Sequence, residues 1–273
     1  MRKEAIEIIY EDSDIIVINK PAGVSVTKDR SGQPQLVDLL AKQLGSETAA
    51  KLRLVHRLDK DTSGVMILAL NRAAQRKFAD YFFKRQVKKT YLAIVKGAVL
   101  SAKGVINEPL ARSKKNAELM RIDKRGGKES ITEWLLLADF GLLSLLAVNP
   151  LTGRTHQIRV HLAGIGLPLA IDPLYGGREP IMLSEFKKGY RLGVGQEEKP
   201  LIERLTLHAY QIQLPCLAPG STGGSPQPNC FVARLDKKFA ATIKMLTKHN
   251  PEGLAAFFDA SEFEKIITAQ PLV

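Results

Sequence analysis

LRLV (52–55), HRLDKDTSG (56–64) and VMILAL (65–70) follow one another without a break, and the middle stretch decides how the rest is read. The flanking runs have the length and aliphatic content of buried strands. Between them stand five charged or titratable side chains, His56, Arg57, Asp59, Lys60 and Asp61. A surface turn accounts for polar residues that bond locally to the backbone. Arg57 lies two residues before Asp59, so on an extended segment both project to the same side.

Outward from this knot the chain alternates strand and helix patterns. IEIIYEDSDIIVINKPAGVSV (6–26) reads as two strands joined by an acidic turn, with Lys20, Pro21 and Gly23 ending the second. LVDLLAKQL (36–44) and RAAQRKFADYFFKRQ (72–86) carry apolar residues at helical spacing, the latter with cations on its remaining positions. KTYLAIVKG (89–97), SITEWLLLAD (130–139) and LLSLLAVNP (142–150) read as strands. TGRTHQIRVHLAGIG (152–166) turns helical after its Thr-Gly start, with Ile158, Leu162 and Ile165 on one side. SEFKKGYRLGVGQEEKP (184–200) is polar and reads as a loop or insertion. LTLHAYQIQLP and FVARL form a late strand pair around a Gly and Pro loop, and helix returns in DKKFAATIKMLTK and beyond Pro251. No internal repeat is visible, so one mixed α and β domain is expected over 1–246, with a helical tail over 247–273.

With 40 Lys and Arg against 28 Asp and Glu, the formal charge is +12 and the isoelectric point about 9.7. Such an excess favours a polyanionic partner, because cations that neutralise phosphates release condensed counterions. No apolar run approaches the roughly 20 residues of a spanning helix, and MRKEAIEIIYED has no signal-peptide core, so a cytoplasmic protein without a membrane partner is expected. The two cysteines, Cys216 and Cys230, read as reduced thiols rather than a disulfide. No Cys and His cluster has zinc-ligand spacing, so no metal is expected.

His-Arg-Leu-Asp, together with DFG at 139–141, superficially matches a protein kinase. A kinase needs a glycine-rich loop before its lysine, and an aspartate directly after the arginine. Residues 1–16 contain no glycine, and Asp59 and Asp139 are 80 residues apart. DFG is more simply a strand-ending turn after WLLLA.

A different set of blocks fits better. HRLDKDTSGVMILAL, KKTYLAIVKG (88–97) and LTGRTHQIRVHLAGIGLPLAIDPLYGG (151–177) together resemble the RluA-type family of RNA pseudouridine synthases. YEDSDIIVINKPAGVSV and LHAYQIQLP are similar to the family's first and late blocks, so the resemblance runs from about residue 6 to 240. It implies an α+β pseudouridine synthase fold: a mixed, largely antiparallel central sheet flanked by helices, with an active-site cleft across the sheet. It also implies isomerisation of uridine to pseudouridine in structured RNA, ribosomal or transfer, without a cofactor. A catalytically silent RNA-binding or chaperone protein on the same scaffold is the alternative.

The reaction breaks the bond from ribose C1′ to uracil N1 and rejoins the base through C5. It requires a carboxylate beside the sugar, a countercharge, help for the C5 proton and a means of flipping the base. The resemblance makes Asp59 the carboxylate, either nucleophile or base toward the sugar. Arg159 is its partner, a guanidinium able to hold both carboxylate oxygens. Tyr91 is the active-site tyrosine, stacking on uracil or assisting the C5 proton. The resemblance also places Arg57 in the space left by the flipped uridine. Arg154 and His156, at a helix start, are suited either to RNA phosphate or to ordering their loop. Where the family typically has glycine before aspartate, this chain has Ile171 before Asp172, which implies a reshaped turn, since a branched residue disfavours positive φ. No S4-like domain is expected before the first block, and a monomer is expected.

Overall fold

A computed structural model describes residues 5–27, 32–97, 99–193, 195–215, 229–250, 264–266 and 268–272. In chain order it contains β1 (Glu7–Glu11), β2 (Ile15–Lys20), α1 (Leu36–Leu44), α2 (Ser46–Lys51), β3 (Arg53–Leu54), β4 (Ser63–Ala69) and α3 (Arg72–Phe83). Then follow β5 (Lys88–Lys96), β6 (Lys103–Asn107), β7 (Leu110–Arg112), β8 (Met120–Ile122), β9 (Ile131–Asp139) and β10 (Leu143–Pro150). The series ends with α4 (Gln157–Gly164), β11 (Leu207–Gln213), β12 (Cys230–Val232) and α5 (Lys237–His249). The strands and helices expected within the described residues up to 250 are present, and the fold is α+β. The short elements α2, β6, β7 and β8 have too few residues for a periodicity to mark them in the sequence. Cys216 and the tail at 251–263 lie outside the described residues.

The chain groups into two compact units, residues 1–90, 209–234 and 269–273 in the first and 91–208 and 235–268 in the second. In the first unit β2 pairs antiparallel with both β1 and β4, and β3 pairs with β4. β2 and β4 are nearly continuous apolar runs because both of their faces are covered. Phe78 of α3 and Leu36 and Leu40 of α1 are buried with Ile15–Ile18 and Val65–Ala69. The acidic turn is built by Asp12, whose Oδ1 accepts from the N–H groups of Asp14 and Ile15 at 2.8 Å. Asn71 caps α3 by accepting from Ala74 N and donates to Asp14, tying the helix start to that turn.

In the second unit β10 pairs with β5 and β9, and β6 with β9, all antiparallel. Trp134, the only tryptophan, lies across from Gly104, where an added Cβ would come within 2.7 Å of the indole. Asp139 Oδ1 accepts from Gly141 N at 2.8 Å in the turn between β9 and β10, so DFG is the strand-ending turn expected. β7 and β8 form a separate hairpin. In α4, Ile158 and Leu162 join the core, but Ile165 is exposed. Ile165 caps the C-terminus of the helix and no longer follows its apolar side.

Three contacts seat the loop between β3 and β4. Lys20 stands opposite Gly64 in register, fully buried, and its ammonium donates to the carbonyls of Pro21, Val24 and Lys60, each at 2.9 Å. All three ammonium donors are thereby used, as burial of a cation demands. His56 stacks on Phe82 with ring centres 4.3 Å apart, and its Nε2 accepts from Ile67 N at 3.0 Å. That bond requires a neutral ring protonated on Nδ1. Burial first, and then the charge of Lys89, push the His56 pKa down to about 3. Lys89 itself is lowered to about 8 by burial and by Arg85. Finally, Gly64 has φ +118°, and a Cβ there would sit 2.1 Å from Ala209 O, so the loop leaves into β4 at a position that only glycine fits.

Gly64→Ala should therefore cost about 3 kcal/mol or more, combining strain with a backbone clash, and should show as a large drop in melting temperature or loss of soluble protein. A melt within a degree or two of wild type would contradict the packing of β4. His56 yields a pH dependence. Its folded pKa is depressed, so the unfolded state holds the extra proton below about 6.5, and stability present above that pH is lost as pH falls toward 3. At about 1.4 kcal/mol per pH unit, wild type should lose about 2 kcal/mol more than His56→Gln between pH 7 and pH 5 in urea titrations. Parallel pH slopes would show that the folded ring accepts a proton freely.

Candidate active site

Within the first unit, the loop alternates inside and outside. Arg57 is exposed, Leu58 is buried, Asp59 is half-buried and Lys60 and Asp61 are exposed, before Thr62 and Ser63 turn inward again. Leu58 is the apolar peg that holds the segment down. Because neighbouring side chains of an extended segment point oppositely, burying Leu58 directs Arg57 and Asp59 away from the core. Thr62 N donates to Asp59 O at 3.2 Å, closing the turn that follows. Lys20 reaches the carbonyl one residue beyond Asp59, so a buried positive charge sits under the loop that carries the carboxylate.

In the second unit, α4 is buried from Gln157 to Leu162 although Gln157, Arg159 and His161 are polar or charged. Each polar group is satisfied. Gln157 Nε2 donates to Ile131 O and Thr132 Oγ1, and Gln157 Oε1 accepts from Thr152 Oγ1 and Arg154 N. His161 Nε2 lies 2.8 Å from Glu108 O, a pure acceptor, so Nε2 carries the proton and Nδ1 accepts from the Thr132 hydroxyl at 2.8 Å. Burial lowers the pKa of His161, opposed by its bond to Glu108, and keeps it neutral at pH 7.

Arg159 forms a buried bidentate pair with Asp172: Nε to Oδ2 at 2.8 Å and Nη2 to Oδ1 at 2.6 Å. The Tyr175 ring covers the guanidinium, with 5.2 Å from Cζ to the ring centre. Tyr175 Oη accepts from Met120 N at 2.7 Å and lies 2.8 Å from Nδ1 of His156. His156 adopts left-handed φ of 52° at the start of α4, which aims its ring at Tyr175. Asp172 is itself held at both ends of a turn. Its Oδ1 accepts from Leu174 N and Tyr175 N, and its backbone bonds Gly176 and Gly177. The preceding residues run along β5, with Lys96 N on Pro168 O and Ala170 N on Ile94 O, both at 2.9 Å. Ile171 is buried, and its N–H bonds the Thr206 hydroxyl. Among the described residues it is not one of the non-glycine positions with positive φ, so the branched residue fits this turn without that strain.

Of the expected site residues, Arg159 and His156 are thus brought together through Tyr175. Arg154 orders the loop by donating from Nε to Glu129 O at 3.0 Å. Tyr91 pairs in register with Val148 and packs, half-buried, against the core that includes Ile158. Asp59 and Arg57 belong to the first unit. The residues missed by reading the sequence were Lys20, Gln157, His161, Thr132, Thr152 and Tyr175. One signal was available: Gln157 and His161 are four apart on a helix, where they share a face. Among the described residues no group of His, Cys, Asp and Glu could hold a metal ion, and no helix is long and apolar enough to cross a membrane.

A family model described as RNA pseudouridylate synthase matches residues 14–164. An uncharacterized RNA pseudouridine synthase of Zymomonas mobilis is 35% identical over 229 residues, covering 82% of this chain and 94% of that one. The ribosomal large subunit pseudouridine synthase D of Borreliella burgdorferi is 42% identical over 178 residues, 63% of this chain and 55% of the relative. An uncharacterized RNA pseudouridine synthase of Bacillus subtilis is 40% identical over 182 residues, 65% of this chain and 60% of the relative. Against several curated relatives, then, the chain spans a little over half their length. Among solved structures, human RNA pseudouridylate synthase domain containing 1 superposes with a TM-score of 0.68 at 25% identity, covering 99% of each chain. With the family model covering more than half of its residues, and with the blocks around Asp59, Tyr91 and Arg159 in the expected order, the chain belongs to the RluA-type family of RNA pseudouridine synthases.

Proposed function

We propose that this protein isomerises uridine to pseudouridine in structured RNA, with Asp59 as the essential carboxylate. The observation that carries the reading is the pinned loop. Leu58 is held in the core, so Asp59 and the exposed Arg57 are presented on a segment seated by Lys20 and His56. Asp59 either adds to C1′ as the N1–C1′ bond breaks and is displaced in turn when C5 of the rotated base bonds to C1′, or takes a proton from the sugar as that bond breaks and returns it once C5 has bonded to C1′. The proton that leaves C5 is balanced by the one gained at N1, so no redox partner is required. Tyr91 and Arg159 act, by family resemblance, in proton movement and charge balance.

The fold supports an RNA partner with exposed cations. Arg112, Lys114, Lys115, Arg121, Lys124 and Arg125 are exposed on and beside the hairpin of β7 and β8. Because a relative is named for the large ribosomal subunit, large-subunit ribosomal RNA is the substrate to test first, with transfer RNA as the comparison. A monomer acting in the cytoplasm completes the proposal.

Tritium release from C5-labelled uridine RNA tests the reaction. Asp59→Asn should fold, bind RNA about as well as wild type or better, and lose turnover by more than about a hundredfold, or about 2.7 kcal/mol of barrier. Residual activity above that level in a pure preparation would remove Asp59 from the chemistry. Arg57→Ala should slow single turnovers by about one to two orders of magnitude on RNA whose target uridine is stacked, since unstacking costs roughly a few kcal/mol. An unpaired target should be partly rescued, and Arg57→Lys should recover little, because an ammonium does not stack as a guanidinium does. Equal slowing on both RNAs, tracking salt alone, would make Arg57 an ordinary phosphate contact.

A further inference from the structure

We infer that Asp172 and Tyr175 are positioning residues for Arg159, holding its guanidinium in one orientation through a bidentate pair on one edge and a ring packed beside it. This rests on the reading of Arg159 as a participant in the reaction. A guanidinium on a helix has several rotatable bonds, and a participant in catalysis must be placed to within a fraction of an ångström. Here two of its nitrogens are spent on Asp172, at 2.8 and 2.6 Å, which fixes the plane of the group. The Tyr175 ring lies beside the guanidinium, 5.2 Å from Cζ to the ring centre, and restricts the space into which the group could swing. Neither restraint is loose. Asp172 Oδ1 also accepts two backbone N–H groups of its own turn, and the Tyr175 hydroxyl is held by Met120 N and by His156. The remaining edge of the guanidinium is thereby directed by the scaffold and not by the arginine's own rotamer preferences.

This arrangement differs from a buried ion pair that serves only stability. Replacing such a pair would change folding and leave the rate of the folded fraction alone. Positioning makes the opposite demand. Asp172→Asn retains an oxygen for the Leu174 and Tyr175 N–H groups but loses one acceptor for Arg159. Tyr175→Phe retains the ring and releases the tether to Met120 and His156. Each should slow the single-turnover chemical step, about a hundredfold for Asp172→Asn and about tenfold for Tyr175→Phe, since an ångström of misplacement costs up to about 10²-fold. RNA affinity should change less than about threefold, placing the loss in kcat and not in KM.

The discriminating experiment combines each change with Arg159→Lys. If Asp172 and Tyr175 act through the guanidinium, their effects should nearly vanish once it is gone, and the double variants should be no slower than Arg159→Lys alone within about threefold. The Arg159 Nε–H resonance, identified by its loss in Arg159→Lys, should shift and exchange faster with solvent in Asp172→Asn, and broaden in Tyr175→Phe. Equal losses in both backgrounds, or an unmoved resonance, would overturn the positioning role. Should Asp172→Asn fail to fold, the half-buried Tyr175 carries the same test. Wild-type rates for Arg159→Lys beside an inactive Asp59→Asn would refute this inference and spare the proposed reaction. Activity in Asp59→Asn would refute the reaction itself.

Discussion

Burying a polar group without a partner costs on the order of 1–3 kcal/mol, and an unpaired charge more, so a helix buried from Gln157 to Leu162 can carry Gln157, Arg159 and His161 only if every one is matched. That constraint organises the second unit. Gln157 and His161 draw Thr132, Thr152 and the carbonyls of Ile131 and Glu108 toward α4, which fixes the start of β9 and the segment before β7. Arg159 draws Asp172, and with it the turn through Gly177. No buried side-chain nitrogen or oxygen among the described residues is left without a partner, so the polar residues of TGRTHQIRVH specify one arrangement of the elements around them.

The first unit solves a related problem with a loop. A segment carrying Arg57, Asp59, Lys60 and Asp61 has little apolar surface with which to hold itself against the sheet. Leu58 supplies the one apolar peg, and polar groups from beneath supply the rest, through Lys20 on three carbonyls and His56 on Ile67 N. The two histidines that hold these structures, His56 and His161, are both kept neutral by burial, so each offers a lone pair as well as a donor. A protonated ring would have two donors and could accept neither the Ile67 N–H nor the Thr132 hydroxyl proton.

Much of this was legible from sequence because the decisive patterns are local. Continuous apolar runs identified β2, β4, β5, β9 and β10, and apolar residues at helical spacing identified α1 and α3. The hairpin of β7 and β8 was not legible, since its strands have three residues each and its apolar content is dispersed among cations. The pairing of Arg159 with Asp172 was hidden for another reason. The residues are 13 apart, beyond any helical or strand period, and meet because Thr206 and β5 fold the intervening chain back. The burial of Lys20 was hidden too: a lysine that ends a strand beside proline carries no local mark of burial, and it is the register opposite Gly64 that buries it.

The same logic separates the chain's charges by task. Its excess of cations is large, but the buried ones, Lys20 and Arg159, are committed to fixed partners and add little to the outer field. Exposed cations, Arg57, Lys114, Lys115 and Arg125 among them, are the ones able to attract phosphate over a distance, because they act through solvent, where salt screens them. The proposed association with RNA, where it runs through these exposed groups, is therefore salt-sensitive, whereas the setting of Arg159 by Asp172, buried and bidentate, is not. On the proposed reading, encounter and chemical alignment depend on different residues, and ionic strength separates them.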